Sequence, residues 1–253
     1  HGVAAHLEVV VGANANENGF LSTSAAEPAK ARPGCCGRWV PPGEPREALV
    51  KRMSWELAGA PATRNSTPEE LRQYVQALVP PYEDELRSCG GDPAAPEAAQ
   101  WLQNAIASDF SFIAATFLIA ERLGRPGNCR KVFRYQFEGF EGLADAFHGA
   151  ELEMVLDAGC KKHRSRPEAR SAWLDSWAEF ARSGDPNAKS MKGAWEPFRG
   201  LDGPVGLWDA NGWRPDGGPT LASRAGLMAT ARLWELLWEA ESRSFSDKSC
   251  AIA

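Results

Sequence analysis

The chain has 253 residues, enough for one large domain or two small ones, and 43% are hydrophobic against 24% charged. A formal net charge of -5 leaves no basic footprint for nucleic acid or an anionic membrane surface. The longest apolar run, Phe112 to Ala120, is about half the ~20 residues needed to span a bilayer, so no transmembrane segment is expected.

An apolar, β-rich run, Leu7-Glu8-Val9-Val10-Val11, predicts a short buried strand that stops at Gly12. Residues 13–19, rich in Asn and Gly, follow as a loop, and Cys35 to Pro45 is a second loop dense in Gly and Pro. Thr67-Pro68-Glu69-Glu70 carries a capping residue, a proline at the first helical position and a carboxylate at the third. Leu71, Tyr74, Val75 and Leu78 continue that helix, which Pro80-Pro81 is expected to end. A helix over Pro96 to Ala107 shows Ala98, Trp101, Leu102 and Ala105 on one face, and the pattern resumes from Phe112 to Gly124. Lys131 to Phe137 alternates with period two and predicts a strand. Trp173, Trp177, Phe180 and Ala181 mark one further helix face; Leu227, Ala231, Trp234 and Trp238 mark another. Val205 to Trp208 reads as a short edge strand, and residues 242–253 as a flexible tail.

Helices interleaved with a few strands indicate an α/β protein. Two or three strands so far apart in sequence do not make a stable sheet by themselves, and the expectation is that they need partners the chain does not contain. Ten tryptophans point to a large aromatic-rich core. The six cysteines (Cys35, Cys36, Cys89, Cys129, Cys160, Cys250) form neither a dense disulfide scaffold nor a CxxC metal pair, and free thiols or one or two bridges both stay open.

Two segments carry chemistry. In Val10-Val11-Gly12-Ala13-Asn14-Ala15-Asn16-Glu17-Asn18-Gly19-Phe20, one carboxylate, Glu17, follows a strand; a lone Glu in a loop is ordinarily a solvated surface group. In Ala146-Phe147-His148-Gly149-Ala150-Glu151-Leu152-Glu153-Met154-Val155-Leu156, a histidine sits in a Gly-flanked loop after a strand, well set to act as a general base. Together they resemble the acid and histidine segments of type-B carboxylesterases and cholinesterases, the acid matching Glu17 and the base His148. Trp177-Ala178-Glu179-Phe180-Ala181-Arg182-Ser183-Gly184-Asp185-Pro186-Asn187 and Ala194-Trp195-Glu196-Pro197-Phe198 resemble further marks of that family in the same order. Asn18 in place of Gly after the acid, the segment from Pro28 to Pro45, and the lack of the cholinesterases' cysteines depart from the family pattern.

The resemblance implies the C-terminal portion of one α/β-hydrolase domain, residues 1–253, with few central-sheet strands and many flanking helices. It also implies a Ser-Glu-His triad working through an acyl-enzyme on a small-molecule or lipid ester. The nucleophile elbow Gly-x-Ser-x-Gly is nowhere in the sequence. The serine is therefore expected in an N-terminal half of the same domain, and the isolated chain is expected to be inactive. No cofactor or metal is implied. A cholinesterase-like adhesion module without activity is the alternative. The family favours a secreted or extracellular setting, with a cytoplasmic one open. Asn65-Ser66-Thr67 matches a glycosylation acceptor and Cys250-Ala251-Ile252-Ala253 a prenylation box, two signals that point to opposite compartments.

Overall fold

The computed structural model describes residues 6–17, 46–58, 63, 66–95, 98–139, 146–156, 167–200, 203, 205–218 and 223–250. Asn65, Cys35, Cys36 and Cys160, singled out in the sequence, lie outside these, as does the side chain of Cys250. Cys89 and Cys129 are in no disulfide.

Four strands form one sheet in the order β1-β2-β3-β4. They are β1 (Glu8–Asn14), β2 (Lys131–Phe137), β3 (Val205–Asp209) and β4 (Gly212–Gly218). β1, β2 and β3 are mutually parallel, with Val11 opposite Arg134 and Tyr135 opposite Gly206, and β4 returns antiparallel. The fold is α/β. The strands thus find partners within the chain, against the expectation, because parallel strands distant in sequence are joined by helical crossovers. Val205–Asp209 is an inner strand; β4, which was not foreseen, forms the edge beyond it.

β1 passes through Gly12 to Asn14 rather than stopping. A Cβ at Gly12 would lie inside the Tyr135 ring of β2, so this glycine makes room for a neighbour and does not punctuate. The side of β1 away from β2 has no strand partner among the described residues.

The helices are α1 (Arg46–Ala58), α2 (Pro68–Ser88), α3 (Ala98–Ser108), α4 (Ala114–Leu123), α5 (Leu152–Leu156), α6 (Pro167–Ser183) and α7 (Ala225–Cys250). α2 starts at the expected capping box: Thr67 Oγ1 accepts from the Glu70 N–H at 3.2 Å, and Glu70 Oε2 accepts from the Thr67 N–H at 2.7 Å. It does not end at Pro80-Pro81, although each interior proline costs about 3 kcal/mol. Tyr82 and Leu86 beyond the prolines are buried, and that packing outweighs the lost backbone bonds. The stop comes at Gly90, whose φ of 78° suits glycine and lets the Gly91 N–H reach back to the Leu86 carbonyl.

α3 and α4 are one continuous helical rod, joined by a π turn over Asp109–Ile113 in which the Ala114 N–H bonds the Asp109 carbonyl. The rod from Trp101 to Leu123 is, by length and composition alone, apolar enough to cross a membrane, which the run-length reading did not foresee; most of it is buried inside the fold. α7 continues helically to Cys250.

Burial divides into three clusters. α1, α2, α3 and α7 build a helical core around Met53, Val75, Val79, Tyr82, Trp101 and Ile106. One sheet face, with Ala13 and Val205, packs on Ile113, Phe117, Leu227 and Ala231. The other is aromatic: Phe133, Tyr135 and Phe137 of β2 meet Trp173, Trp195, Trp208 and Trp213. Tyr135 and Trp173 lie edge to face at 5.5 Å, Trp173 and Trp208 at 5.0 Å.

Candidate functional site

The parallel strands end together, and the carboxyl end of such a sheet is where α/β proteins gather reactive groups. β1 runs out at Asn14 into a turn over residues 15–17. Three backbone hydrogen bonds zip this turn to the end of β2 and the segment beyond it: Ala15 N–H to Phe137 O at 2.8 Å, Asn16 N–H to Ala146 O at 3.0 Å, and His148 N–H to Glu17 O at 3.1 Å. Gly149, with φ 79°, turns the chain at once into α5.

Glu17 and His148, separated by 131 positions, are brought into contact. Glu17 Oε2 is 2.8 Å from His148 Nδ1, and Glu17 Oε1 accepts the Asn14 backbone N–H at 2.7 Å. Glu17 is 5% exposed, whereas the His148 side chain is 63% exposed. The carboxylate is thus a buried group with both oxygens engaged, unlike the solvated surface residue that a lone loop Glu usually is. Burial pushes its pKa up; the Asn14 N–H and His148 hold it down in part, and the neighbouring Glu151 carboxylate pushes it up again.

A carboxylate on Nδ1 keeps the proton on that nitrogen and leaves Nε2 with a bare lone pair. Nε2 has no hydrogen-bond partner among the described residues. Phe112, presented by the π turn, lies against the imidazole with ring centroids 4.8 Å apart and planes inclined 40°. Leu152 and Val155 of α5, the helix that follows His148, are exposed. The arrangement suits proton abstraction from a hydroxyl or thiol brought to the exposed edge of the ring.

Three residues at the site had no assigned role in the sequence. Asn14 donates its amide N–H groups to Phe147 O at 2.7 Å and to Glu151 Oε2 at 2.5 Å. Both residues stand in the quoted motifs, but only the strand register reveals that they meet. Phe112 is found only through the π turn, which no spacing rule marks.

The two downstream motifs serve packing. Gly184 caps α6 with φ 76°. Asn187 then clamps Trp195: its Oδ1 accepts the Trp195 N–H at 2.6 Å and its Nδ2 donates to Trp195 O at 3.1 Å. This seats the indole under β2, where Nε1 donates to Arg134 O at 3.1 Å.

A second charged group lies behind the site. Arg224 donates to Glu85 Oε1 at 2.8 Å and to Asp109 Oδ2 at 2.8 Å, and Tyr82 OH donates to the same Asp109 oxygen at 2.7 Å. This network ties α2, the π turn and the start of α7, and so holds the turn that carries Phe112. Among the described residues no cluster of three or more His, Cys, Asp and Glu is arranged to hold a metal ion. No protein-family model and no curated protein matches the chain.

Proposed function

We propose that this chain supplies the acid and the base of a serine carboxylic ester hydrolase built on the α/β-hydrolase plan, as its resemblance to type-B carboxylesterases implies. The observation that carries the reading is the contact between a buried Glu17 and an exposed His148, 2.8 Å apart at the ends of neighbouring parallel strands, with Nε2 unengaged. In the reaction, His148 takes the proton of a serine hydroxyl as the oxygen attacks the ester carbonyl. It then hands that proton to the leaving alcohol. A water, deprotonated by the same nitrogen, releases the acid from the acyl-enzyme. Glu17 keeps the imidazole in the tautomer this requires and stabilises the imidazolium that forms.

The nucleophile comes from polypeptide outside these residues, since no Gly-x-Ser-x-Gly occurs among them. β1 supports this: Val9, Val10 and Val11 are only half-buried, and one edge of the strand has no strand beside it among the described residues. A further parallel strand there would bring a nucleophile elbow alongside Glu17 and His148. The exposed apolar side chains of Leu152 and Val155 and the ring of Phe112 suit an ester with apolar substituents.

The test uses a fluorophosphonate probe and p-nitrophenyl acetate on the native polypeptide that carries this chain, and on the 253-residue chain alone. The native polypeptide is expected to hydrolyse the ester and to be labelled on one serine outside this sequence. His148→Ala should lower turnover by about 10^3-fold or more. The isolated chain should stay at the background rate. A native polypeptide that neither hydrolyses esters nor takes the label would overturn the reading.

A further inference from the structure

Asn14 lies between two carboxylates. Its backbone N–H donates to Glu17 Oε1 at 2.7 Å, and its side-chain amide donates to Glu151 Oε2 at 2.5 Å and to the Phe147 carbonyl at 2.7 Å. The residue is 1% exposed and is the last of β1, paired with Phe137. Both amide hydrogens are used, and the amide oxygen has no partner among the described residues. That pattern fixes the amide orientation, because the flipped form would set Oδ1 against a carbonyl and a carboxylate. One residue therefore donates to the acid, to the peptide oxygen just before His148, and to the carboxylate three residues after it.

We infer that Asn14 is the positioning residue of the Glu17–His148 pair, an assignment that rests on reading this pair as acid and base. The backbone bonds between the turn and the histidine loop set the register of the two segments. They do not set the height of the imidazole, because the His148 side chain is largely exposed and little protein surrounds it. The Asn14 amide does so by pulling Phe147 O and Glu151 toward β1 from either side of His148. Its donation to Glu151 also holds that charge on the amide and away from Glu17, whose carboxylate must remain free to receive Nδ1–H.

The tautomer of His148 reads this out without any need for turnover. In the purified chain, long-range 1H–15N correlations from the carbon-bound ring protons distinguish a protonated Nδ1 from a protonated Nε2. The wild type is expected in the Nδ1–H form, and Glu17→Leu should abolish that preference. Asn14→Ala and Asn14→Asp should bring the Nδ1–H form below half. Glu151→Leu, at a half-buried position, removes one anchor only and should move the population partway. Asn14→Asp combined with Glu151→Gln exchanges donor and acceptor and should restore Nδ1–H over Asn14→Asp alone. If the wild type itself carries the proton on Nε2, the acid–base pairing fails together with the reading of the site. If the wild type is Nδ1–H and remains so in both Asn14→Ala and Glu151→Leu, the pair stands and the role of Asn14 is overturned.

Discussion

Arg134 offers the sharpest energetic test of the fold. It is 2% exposed on β2, and its Nε and Nη1 have no hydrogen-bond partner among the described residues. Among the described residues the guanidinium carbon lies 3.4 Å from the centre of the Phe117 ring, and Nη2 makes a long bond to Thr116 Oγ1 at 3.5 Å. Burial pushes its pKa well down, to about 9. At about 1.4 kcal/mol per tenfold, that drop disfavours the buried charge by roughly 5 kcal/mol. A desolvated cation over an aromatic face recovers about 2 kcal/mol. Arg134→Met keeps most of the volume and removes the charge, so it should raise the stability of the chain by about 1–3 kcal/mol near neutral pH. The pH dependence follows from the sign of the shift. The folded state gives up its proton near pH 9, while the unfolded chain keeps it to a much higher pH. Stability of the wild type therefore rises with pH across that window relative to the variant, and the advantage of methionine shrinks. Urea denaturation of both proteins at about pH 7 and about pH 10.5 measures the difference. A variant less stable than the wild type at the lower pH, or a gain that is equal at both, would refute the reasoning.

Two further outcomes are expected. Asp109→Ala leaves Arg224 and Tyr82 without their shared acceptor in the interior, and should cost about 3–5 kcal/mol by chemical denaturation. Glu17 has its pKa raised by burial, so its folded form binds a proton more tightly than the unfolded chain does. The wild type should thus lose stability relative to Glu17→Gln as pH rises from its unfolded value of 4.5 through the raised folded one, then hold a constant difference above it; parallel denaturation across mildly acidic pH checks this.

How much of this could be read beforehand differs from element to element. β2 has the bounds that its alternation predicts, because one face is apolar and aromatic and the other carries Arg134 and Gln136. The start of α2 was equally legible, since a capping box satisfies its hydrogen bonds locally. Its end was not: Pro80-Pro81 break helices in isolation, and only the packing of Tyr82 and Leu86 against distant segments overrides them. β4 was missed although Asn211-Gly212, with φ 105° at the glycine, carries a hairpin signal ahead of it. At the site, Glu17 and His148 could be singled out by resemblance alone, for nothing local brings residues 131 positions apart together. Asn14 and Phe112 depend on strand register and on one wide helical turn, neither of which has a signature along the chain.

That wide turn has a consequence for how the chain tolerates length change. Residues three apart on an ordinary α-helix point to nearly the same side, yet Asp109 must reach inward to Arg224 while Phe112 reaches across to His148. The inserted residue spreads the two directions and lets both be met at once. Removing a single residue between 109 and 113 would leave a smooth and better-bonded rod, but everything on one side of the deletion would swing by about 100°. A shortened helix of that kind would be locally more regular and would still pull apart the two halves of the molecule that it now serves.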